Sequence, residues 1–196
     1  MKFIRKFSPT LVATLALIFT LSAVSFAKEK DSSFPNIKIS NFGQMDQNFY
    51  RGARPKSEDF KNLAALGIKT VVDLTDNSRE REEPAVVAAG MRYVNIPIVD
   101  KAYPSAEQVS AFLKVANDPA TGKFYVHCGR HRTGIMGAVY RFNHDHWNFD
   151  QAYAEMKQYD FYTSNGHGKQ LDFVQDYWQQ FQANHARAGV PATATR

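Results

Sequence analysis

The sequence predicts an α/β fold, with a central, mainly parallel sheet of four to five strands flanked by helices. Short runs rich in β-branched and aromatic residues alternate along the chain with longer stretches of helical periodicity. No internal repeat or extended low-complexity block breaks this alternation. Strands that alternate with helices need crossover connections, which make neighbouring strands parallel and cover both faces of the sheet.

Residues 1–27 are predicted to be a signal peptide that is not part of the fold. A positive start at residues 2–6 precedes an almost wholly apolar run at 11–21, and small residues at 25 and 27 suit cleavage after Ala27. The alternative is a retained membrane anchor, but a spanning helix needs about 20 apolar residues. We therefore expect an exported protein, periplasmic or secreted, with no stable membrane anchor after cleavage.

Charge and length point to one domain that does not bind nucleic acid. The formal net charge is +5, and three of the positive charges lie in residues 1–27, which contain no acidic residue, so +2 remains. No cluster of lysine and arginine dominates any segment, and nucleic acid is therefore not an expected partner. We predict a lead-in at 28–40, one domain at 41–187 and a flexible tail at 188–196. The protein is expected to be a monomer.

Four segments carry strand signals, and five carry helix signals. The strands are predicted at residues 49–50, 70–74, 92–98 and 123–127. Ser57 is predicted to cap a helix that Gly67 ends, and Ser105 with Gln108 forms the pattern of a capping box. Three further helices are predicted at 134–142, 148–159 and 169–186.

The single cysteine, Cys128, follows the last predicted strand. It cannot form an internal disulfide, so in an exported protein the thiol needs another explanation. An inert buried cysteine is one alternative. However, its neighbours are histidine, glycine and arginine, which an apolar core would not tolerate. A thiol at a helix N-terminus among arginines is favoured as a thiolate, and the same position gathers phosphate.

Residues 127–134 (HCGRHRTG) resemble the phosphate loop of the protein-tyrosine and dual-specificity phosphatase superfamily, in particular its small bacterial secreted members. The family pattern is His-Cys, two residues, Gly, two residues, Arg, Ser or Thr, Gly. Residues 48–55 (NFYRGARP), 70–74 (TVVDL) and 92–98 (RYVNIPI) also resemble this family. The resemblance runs from about residue 41 to residue 181 and implies a phosphatase-like fold.

The resemblance implies a role for each residue of the loop. Cys128 would be the nucleophile, Arg132 the arginine that binds phosphate, and Thr133 the hydroxyl that assists the leaving thiolate. His127 would orient the loop. The remaining phosphate-binding positions are Gly129, Arg130, His131 and Gly134.

Asp100 is the preferred general acid, because it follows the strand that ends at residue 98 and precedes the cysteine by 28 residues. Its alternative is an ordinary turn aspartate. Asp73, within a predicted strand, and Asp76, which more plausibly starts a turn, are weaker candidates.

The loop is two residues shorter than the family pattern, since three residues separate Cys128 from Arg132 instead of five. Four Cα steps span at most about 14 Å, whereas six span about 21 Å. A shorter arc is expected to remove two N–H donors from the phosphate, and loss of one such donor costs about 10²–10³ in rate. A two-residue slip of the strand would restore the length but would put Val126 in the nucleophile's place.

Two functions of different class follow. The first is a phosphomonoester hydrolase of the tyrosine or dual-specificity type, which acts through a phosphocysteine intermediate without a cofactor or metal. The second is a non-catalytic phosphate-binding pseudophosphatase. A redox protein is disfavoured because there is no resolving cysteine. The substrate would be a phosphorylated protein or a small phosphorylated molecule. Arg130 and His131 would add positive charge suited to phosphoinositides or inositol polyphosphates, while phosphotyrosine fits equally.

Other polar residues are open to two interpretations. Residues 144–146 (HDH) are interpreted as a polar turn instead of a metal site, because no further ligands are indicated. Tyr159, Phe161, Tyr162 and residues 166–168 would either rim the substrate pocket or pack the loop before the last helix. Arg51 and Arg54 would either extend the anion site or lie on the surface beside a strand. The surface interpretation is preferred.

Overall fold

The computed structural model describes residues 33–77 and 79–187. The signal peptide predicted at 1–27 and the tail predicted at 188–196 lie outside the described residues. Of the predicted lead-in, residues 33–40 are described, and Ile39 packs into the core at 8% exposure. No helix among the described residues is long and apolar enough to cross a membrane.

The described residues form a five-stranded, mostly parallel sheet, which confirms the predicted fold class. Its strand order is β1-β2-β5-β3-β4. The short edge strand β1 pairs antiparallel with β2, and the other pairings are parallel. The strands are β1 (Gly43–Gln44), β2 (Phe49–Gly52), β3 (Ile68–Asp73), β4 (Arg92–Asn95) and β5 (Lys123–His127). The centre of the sheet is β5, the strand that leads to Cys128.

Strand β4 is shorter than predicted, because it ends at Asn95 and not at residue 98. Pro97 has no N–H to donate to a sheet. The backbone nevertheless continues beside β3, since the amides of Ile96 and Ile98 donate to Asp73 and Leu74 at 2.9 and 3.1 Å. This segment leads directly to Asp100.

Six α-helices flank the sheet in the described part of the chain. They are α1 (Asp59–Ala65), α2 (Arg79–Ala88), α3 (Ala106–Asn117), α4 (His131–Tyr140), α5 (Phe149–Gln158) and α6 (Gly168–Arg187). The capping box of Ser105 and Gln108 at the start of α3 is confirmed. A second capping box, of Asn148 and Gln151, starts α5.

Two helix starts differ from the prediction. Helix α4 begins at His131 and not at Gly134, so Arg132 and Thr133 lie in its first turn. Ser57 does not cap α1, whose N-cap is Glu58 without a side-chain hydrogen bond. Instead the Asp59 carboxylate accepts from the Lys56 amide at 2.8 Å and closes the turn before the helix.

The sheet has a separate apolar cluster on each face, because side chains alternate along the strands. In β5, Phe124 and Val126 pack under helices α3 to α6, whereas Tyr125 packs on the face of α1 and α2. The first cluster also holds Phe112, Ile135 and Trp178. Sheets covered on both faces bind ligands at the carboxyl ends of their strands. Cys128 lies at that edge.

Candidate active site

Cys128 lies between the end of β5 and the start of α4, where the helix supplies two donors to its sulfur. The backbone N–H and the hydroxyl of Thr133 both lie 3.4 Å from the Cys128 Sγ. Thr133 is fully buried, while Cys128 is partly exposed. The positive end of α4 therefore faces a thiol that remains accessible from outside.

The loop is held in place by the backbone conformation of Gly129 and by contacts with Asn41 and helix α4. Gly129 has φ = 113°, a conformation that residues with a Cβ rarely adopt. The Asn41 side-chain amide donates at 2.8 Å to the carbonyls of both Gly129 and Tyr159. The first bond of α4 joins the Gly134 amide to the Arg130 carbonyl at 2.8 Å. The loop is fixed between the strand, the helix and residue 41.

Arg132 lies beside the loop with its guanidinium already bonded to two oxygens. Its Nη1 donates to the Ile98 carbonyl at 2.7 Å and pairs with the Asp76 carboxylate at 3.3 Å. The side chain is 14% exposed. These two contacts fix the orientation of the Arg132 guanidinium, and Asp76 is its ionic partner.

The three aspartates considered as general acid lie in different places. Asp100 is exposed and lines the cavity that contains Cys128. Asp73 is buried in β3, where it accepts from the Thr75 amide and hydroxyl and from the Tyr93 hydroxyl at 2.7–2.8 Å. Of these three aspartates, Asp100 is the one that lines the cavity, whereas Asp76 pairs with Arg132.

The cavity beside Cys128 has a volume of about 380 Å³ and is lined by residues 128–132 and Asp100. The sequence prediction did not include Ser40, Asn41, Ala53 or Asp160 in the lining, and it raised Tyr162 and His167 only as rim residues. These come from distant parts of the chain and from loops without a motif. Asn41 and Asp160 have φ of 57° and 59°, which asparagine and aspartate tolerate, but this gives no functional signal.

His131 does not supply positive charge to the cavity, contrary to the sequence expectation. Its ring stacks on His167 with centroids 3.5 Å apart, and its Nε2 lies 3.1 Å from the Tyr162 carbonyl. Burial, and secondarily the neighbouring His167, lower the pKa of His131 to about 4. The imidazole is therefore neutral at pH 7.

His127 belongs to a buried network behind the loop. Its Nε2 lies 2.6 Å from Oε1 of Glu82, a residue that the sequence analysis missed, and its Nδ1 lies 3.8 Å from Oδ1 of Asp73. Its carbonyl accepts from the Leu74 amide at 3.1 Å. These contacts fix the end of β5 one residue before Cys128.

Asp73, Glu82 and His127 form the group among the described residues that could offer a metal ion three ligands. The His127–Glu82 contact has the length of a charge-assisted hydrogen bond. The Asp73 carboxylate faces the opposite ring nitrogen, so one ion could not easily use all three side chains. We therefore describe the group as a hydrogen-bonded His127–Glu82 pair with the Asp73 carboxylate beside it.

Arg51 is buried at 1% exposure, which makes its preferred interpretation as a surface charge wrong. All four residues of β2 are buried, because the strand lies between β1 and β5 and is covered on both faces. Arg54, two residues beyond β2, has a side chain that is 41% exposed. It donates to Thr75 at 2.8 Å and does not line the cavity.

A partly exposed thiol at a helix N-terminus, with an arginine in the first turn and an aspartate in the same cavity, defines the cysteine-phosphatase class of site. A family model described as "DSP-PTPase phosphatase fused to NAD+ Kinase" matches residues 19–176. The chain belongs to this family, within the dual-specificity phosphatase superfamily.

Individual relatives are consistent with this membership. A probable chloroplastic NAD kinase 2 of Oryza sativa is 30% identical over 113 residues, covering 54% of this chain and 11% of that protein. The dual specificity protein phosphatase TpbA of Pseudomonas aeruginosa is 28% identical over 120 residues, covering 60% of this chain and 54% of that protein. The chain thus spans about half the length of TpbA and about a tenth of the kinase.

A solved structure shares the fold. The core catalytic domain of the PP-IP phosphatase SIW14 from S. cerevisiae superposes with a TM-score of 0.64 at 18% identity, covering 78% of this chain and 95% of that chain. At this identity the likeness concerns the fold alone.

Proposed function

We propose that this protein is a phosphomonoester hydrolase that acts through a phosphocysteine intermediate. The observation that carries the proposal is the pair of 3.4 Å contacts from Thr133 to the Cys128 Sγ at the floor of the cavity. A donor pair of this kind stabilises a thiolate both as the attacking group and as the leaving group. The resemblance to the superfamily supports the same assignment.

In the first step, the Cys128 thiolate attacks phosphorus, so that an S–P bond forms and the P–O ester bond breaks. Asp100 gives its proton to the departing oxygen. Amides of the loop and first turn of α4, together with Arg132, stabilise the phosphoryl oxygens.

In the second step, Asp100 takes a proton from water as the water oxygen attacks phosphorus. The S–P bond breaks, inorganic phosphate leaves, and the Thr133 hydroxyl donates to the returning thiolate. Each proton and electron pair is thereby accounted for without a cofactor.

An aryl-phosphatase assay tests this proposal. We expect turnover of an aryl phosphate between pH 5 and 8, reduced roughly 10³-fold or more by Cys128→Ser and by Arg132→Ala. Arg79→Met is the matched control, since Arg79 is exposed and pairs with Glu83 on the surface. Absence of turnover in the unmodified chain would reject the proposal.

The second candidate function is that of a pseudophosphatase that binds phosphate without turnover. It is favoured by the three-residue spacing between Cys128 and Arg132, and by the bonds that already occupy the Arg132 guanidinium. Insertion of two alanines between Cys128 and Gly129 discriminates the two. If loop length limits catalysis, the insertion will raise the rate by about 10²-fold or more. An unchanged or lower rate would show that the short loop is not the limitation.

The substrate belongs to one of two classes. TpbA is named a dual specificity protein phosphatase, and a TpbA variant has been solved in complex with pTyr, whereas SIW14 is named a PP-IP phosphatase. We propose a phosphorylated protein as the main substrate class and an inositol polyphosphate or phosphoinositide as the alternative. The neutral His131 removes one argument for a polyphosphorylated substrate. Comparing kcat/KM for a phosphotyrosyl peptide and an inositol polyphosphate would choose between them.

We further propose that the protein is an exported monomer of the small bacterial type, cleaved after Ala27, with the domain at 41–187. The charge and hydropathy of residues 1–27 support export. Cell fractionation and N-terminal sequencing test it, and a chain that starts at Met1 in the cytoplasm would contradict it. Size-exclusion chromatography tests the monomer.

A further inference from the structure

Arg51 is a buried cation with few direct partners. Its Nε has no hydrogen-bond partner, and among residues 33–77 and 79–187 no ion pair includes its guanidinium. Its Nη2 makes one long bond, 3.4 Å, to the Arg130 carbonyl. The guanidinium also lies 4.0 Å from the centre of the Tyr159 ring. One long hydrogen bond and one ring contact do not offset the cost of removing a guanidinium from water.

The place of Arg51 suggests what compensates this charge. In the parallel pairing of β2 with β5, Arg51 lies opposite Val126, two residues before Cys128. Its guanidinium extends toward α4, where a Cβ on Gly137 would lie 3.5 Å from Nη1. That separation is an ordinary van der Waals contact, so the guanidinium lies directly against the helix backbone at residue 137. Arg51 is thus enclosed by the strand, loop and helix that together hold the thiol.

The electrostatics agree with this placement. Burial lowers the pKa of Arg51, and the negative charges of Tyr159, Glu155 and Cys128 oppose that shift when these groups are ionised. Glu155 is already bonded to Arg141. The anions of the candidate site that can balance Arg51 are therefore the Cys128 thiolate and a bound phosphate.

We propose that Arg51 is a positioning residue beneath the phosphate loop, residues 127–134. It holds the loop through the Arg130 carbonyl and favours negative charge in the candidate active site. It does not line the cavity and so does not touch the substrate. The inference rests on the proposed phosphate site, but it does not require turnover. By linkage, a cation that is costly without an anion makes anion binding more favourable.

Phosphate binding by the full chain and by Arg51→Met tests the proposal. Thermal unfolding would be followed with increasing inorganic phosphate at constant ionic strength. Without phosphate, we expect Arg51→Met to melt at the same or a higher temperature, because an uncompensated buried charge has been removed. Its Kd for phosphate should rise tenfold or more. Arg79→Met, which removes an exposed arginine, should leave both quantities unchanged.

A purely structural role predicts the opposite pattern. The melting temperature of Arg51→Met would then fall, the Kd for phosphate would not change, and the proposal would be overturned. If Arg51→Met does not fold, Arg51→Lys provides the second test. Lysine keeps the charge but cannot reproduce the planar contact with Tyr159 and the loop. We expect Arg51→Lys to bind phosphate with a higher Kd than the unmodified chain, without losing binding altogether. An unchanged Kd would overturn the proposal.

The pH dependence of Cys128 alkylation by iodoacetamide gives an independent readout. In Arg51→Met, the pH at which alkylation reaches half its maximal rate should rise, and an unmoved profile would contradict the inference. If the protein binds phosphate in a way that depends on Arg51 but does not hydrolyse an aryl phosphate, the proposed function fails and this inference stands. Absence of phosphate binding in the unmodified chain would overturn the inference itself.

Discussion

Thr133 provides both contacts that define the environment of Cys128, and it can do so because α4 begins at His131. In the first turn, backbone N–H groups have no partner within the helix. The Thr133 N–H therefore points to the sulfur, and the hydroxyl approaches the same atom at the same distance of 3.4 Å. One residue thus contributes a backbone and a side-chain donor to the Cys128 sulfur.

At the residue scale, the stacked pair of His131 and His167 makes the stability of the protein depend on pH. An unfolded histidine takes up a proton near pH 6.5, whereas folded His131 does so near pH 4. Between these values the unfolded state holds more protons, so stability falls as the pH falls. The groups that face His131 are His167, Arg130, Asp100 and the Tyr162 carbonyl.

When the pH falls from 7 to 5, we expect the free energy of unfolding to decrease less in His131→Asn than in the unmodified chain. The difference should be about 1 kcal/mol, allowing for solvent in the adjacent cavity. Urea unfolding at the two pH values measures it. His146→Asn is the control, because His146 is exposed with φ = 52°, which asparagine tolerates. Equal losses in all three proteins would contradict this origin of the pH dependence.

At the scale of elements, α3 anchors the segment that carries Asp100. The hydroxyl of Ser105 accepts from the Gln108 amide at 3.3 Å, and the Gln108 side chain accepts from the Ser105 amide at 2.8 Å. The Gln108 side chain also donates to the Pro97 carbonyl. Residues 97–104 are therefore held at both ends by contacts that involve the capping box.

Ser105→Ala should destabilise the protein by about 1 kcal/mol, since it leaves the Gln108 amide without its partner. Denaturant unfolding measures this loss. Ser57→Ala is a matched control, because Ser57 is exposed and α1 has no side-chain cap. Its effect should stay within about 0.5 kcal/mol. Similar losses for the two substitutions would contradict the assignment of the cap.

Sequence patterns predicted elements well where a strong local signal existed. The capping box at Ser105 and the left-handed Gly67 after α1 are local chemistry, and both were predicted. Helix α2 was missed because its sequence is dense in charge and contains Pro84, so it has no clear apolar face. Its buried Glu82 contacts His127, which lies 45 residues away and carries no local signal.

The candidate site was predictable in its loop and unpredictable in its surroundings. Residues 127–134 are contiguous, and a strand followed by a helix places them at one edge of the sheet. Arg51 was misassigned because an arginine three residues before Arg54 looks like part of an exposed strand end. The two-sided cover of β2 arises from strand order, which the sequence does not show.

At the scale of the whole molecule, one sheet joins two apolar clusters. Neighbouring residues of β3 face opposite ways, with Val71 in the cluster under α1 and α2 and Val72 in the cluster under α3 to α6. The sheet contributes side chains to both clusters, so unfolding of one cluster removes strands on which the other packs. We expect one cooperative transition for the described part of the chain, 33–187 apart from residue 78.

A double-mutant cycle across the sheet tests this cooperativity. Ile68, 1% exposed, belongs to one cluster, and Ile135, fully buried in α4, belongs to the other. Ile68→Val and Ile135→Val should each reduce the free energy of unfolding by about 1 kcal/mol. Because the two side chains belong to separate clusters on opposite faces of the sheet, the double variant should lose the sum within about 0.5 kcal/mol.

The measurement is denaturant unfolding followed by circular dichroism and by tryptophan fluorescence. For one unit, both probes give the same midpoint in all four proteins, and the denaturant dependence of the free energy does not change between variants. Separate midpoints, each moved by only one substitution, would show that the two faces unfold independently. The candidate active site would then depend chiefly on the cluster under α3 to α6. Ile135 lies in that cluster two residues after Thr133, whereas Ile68 lies on the other face of the sheet.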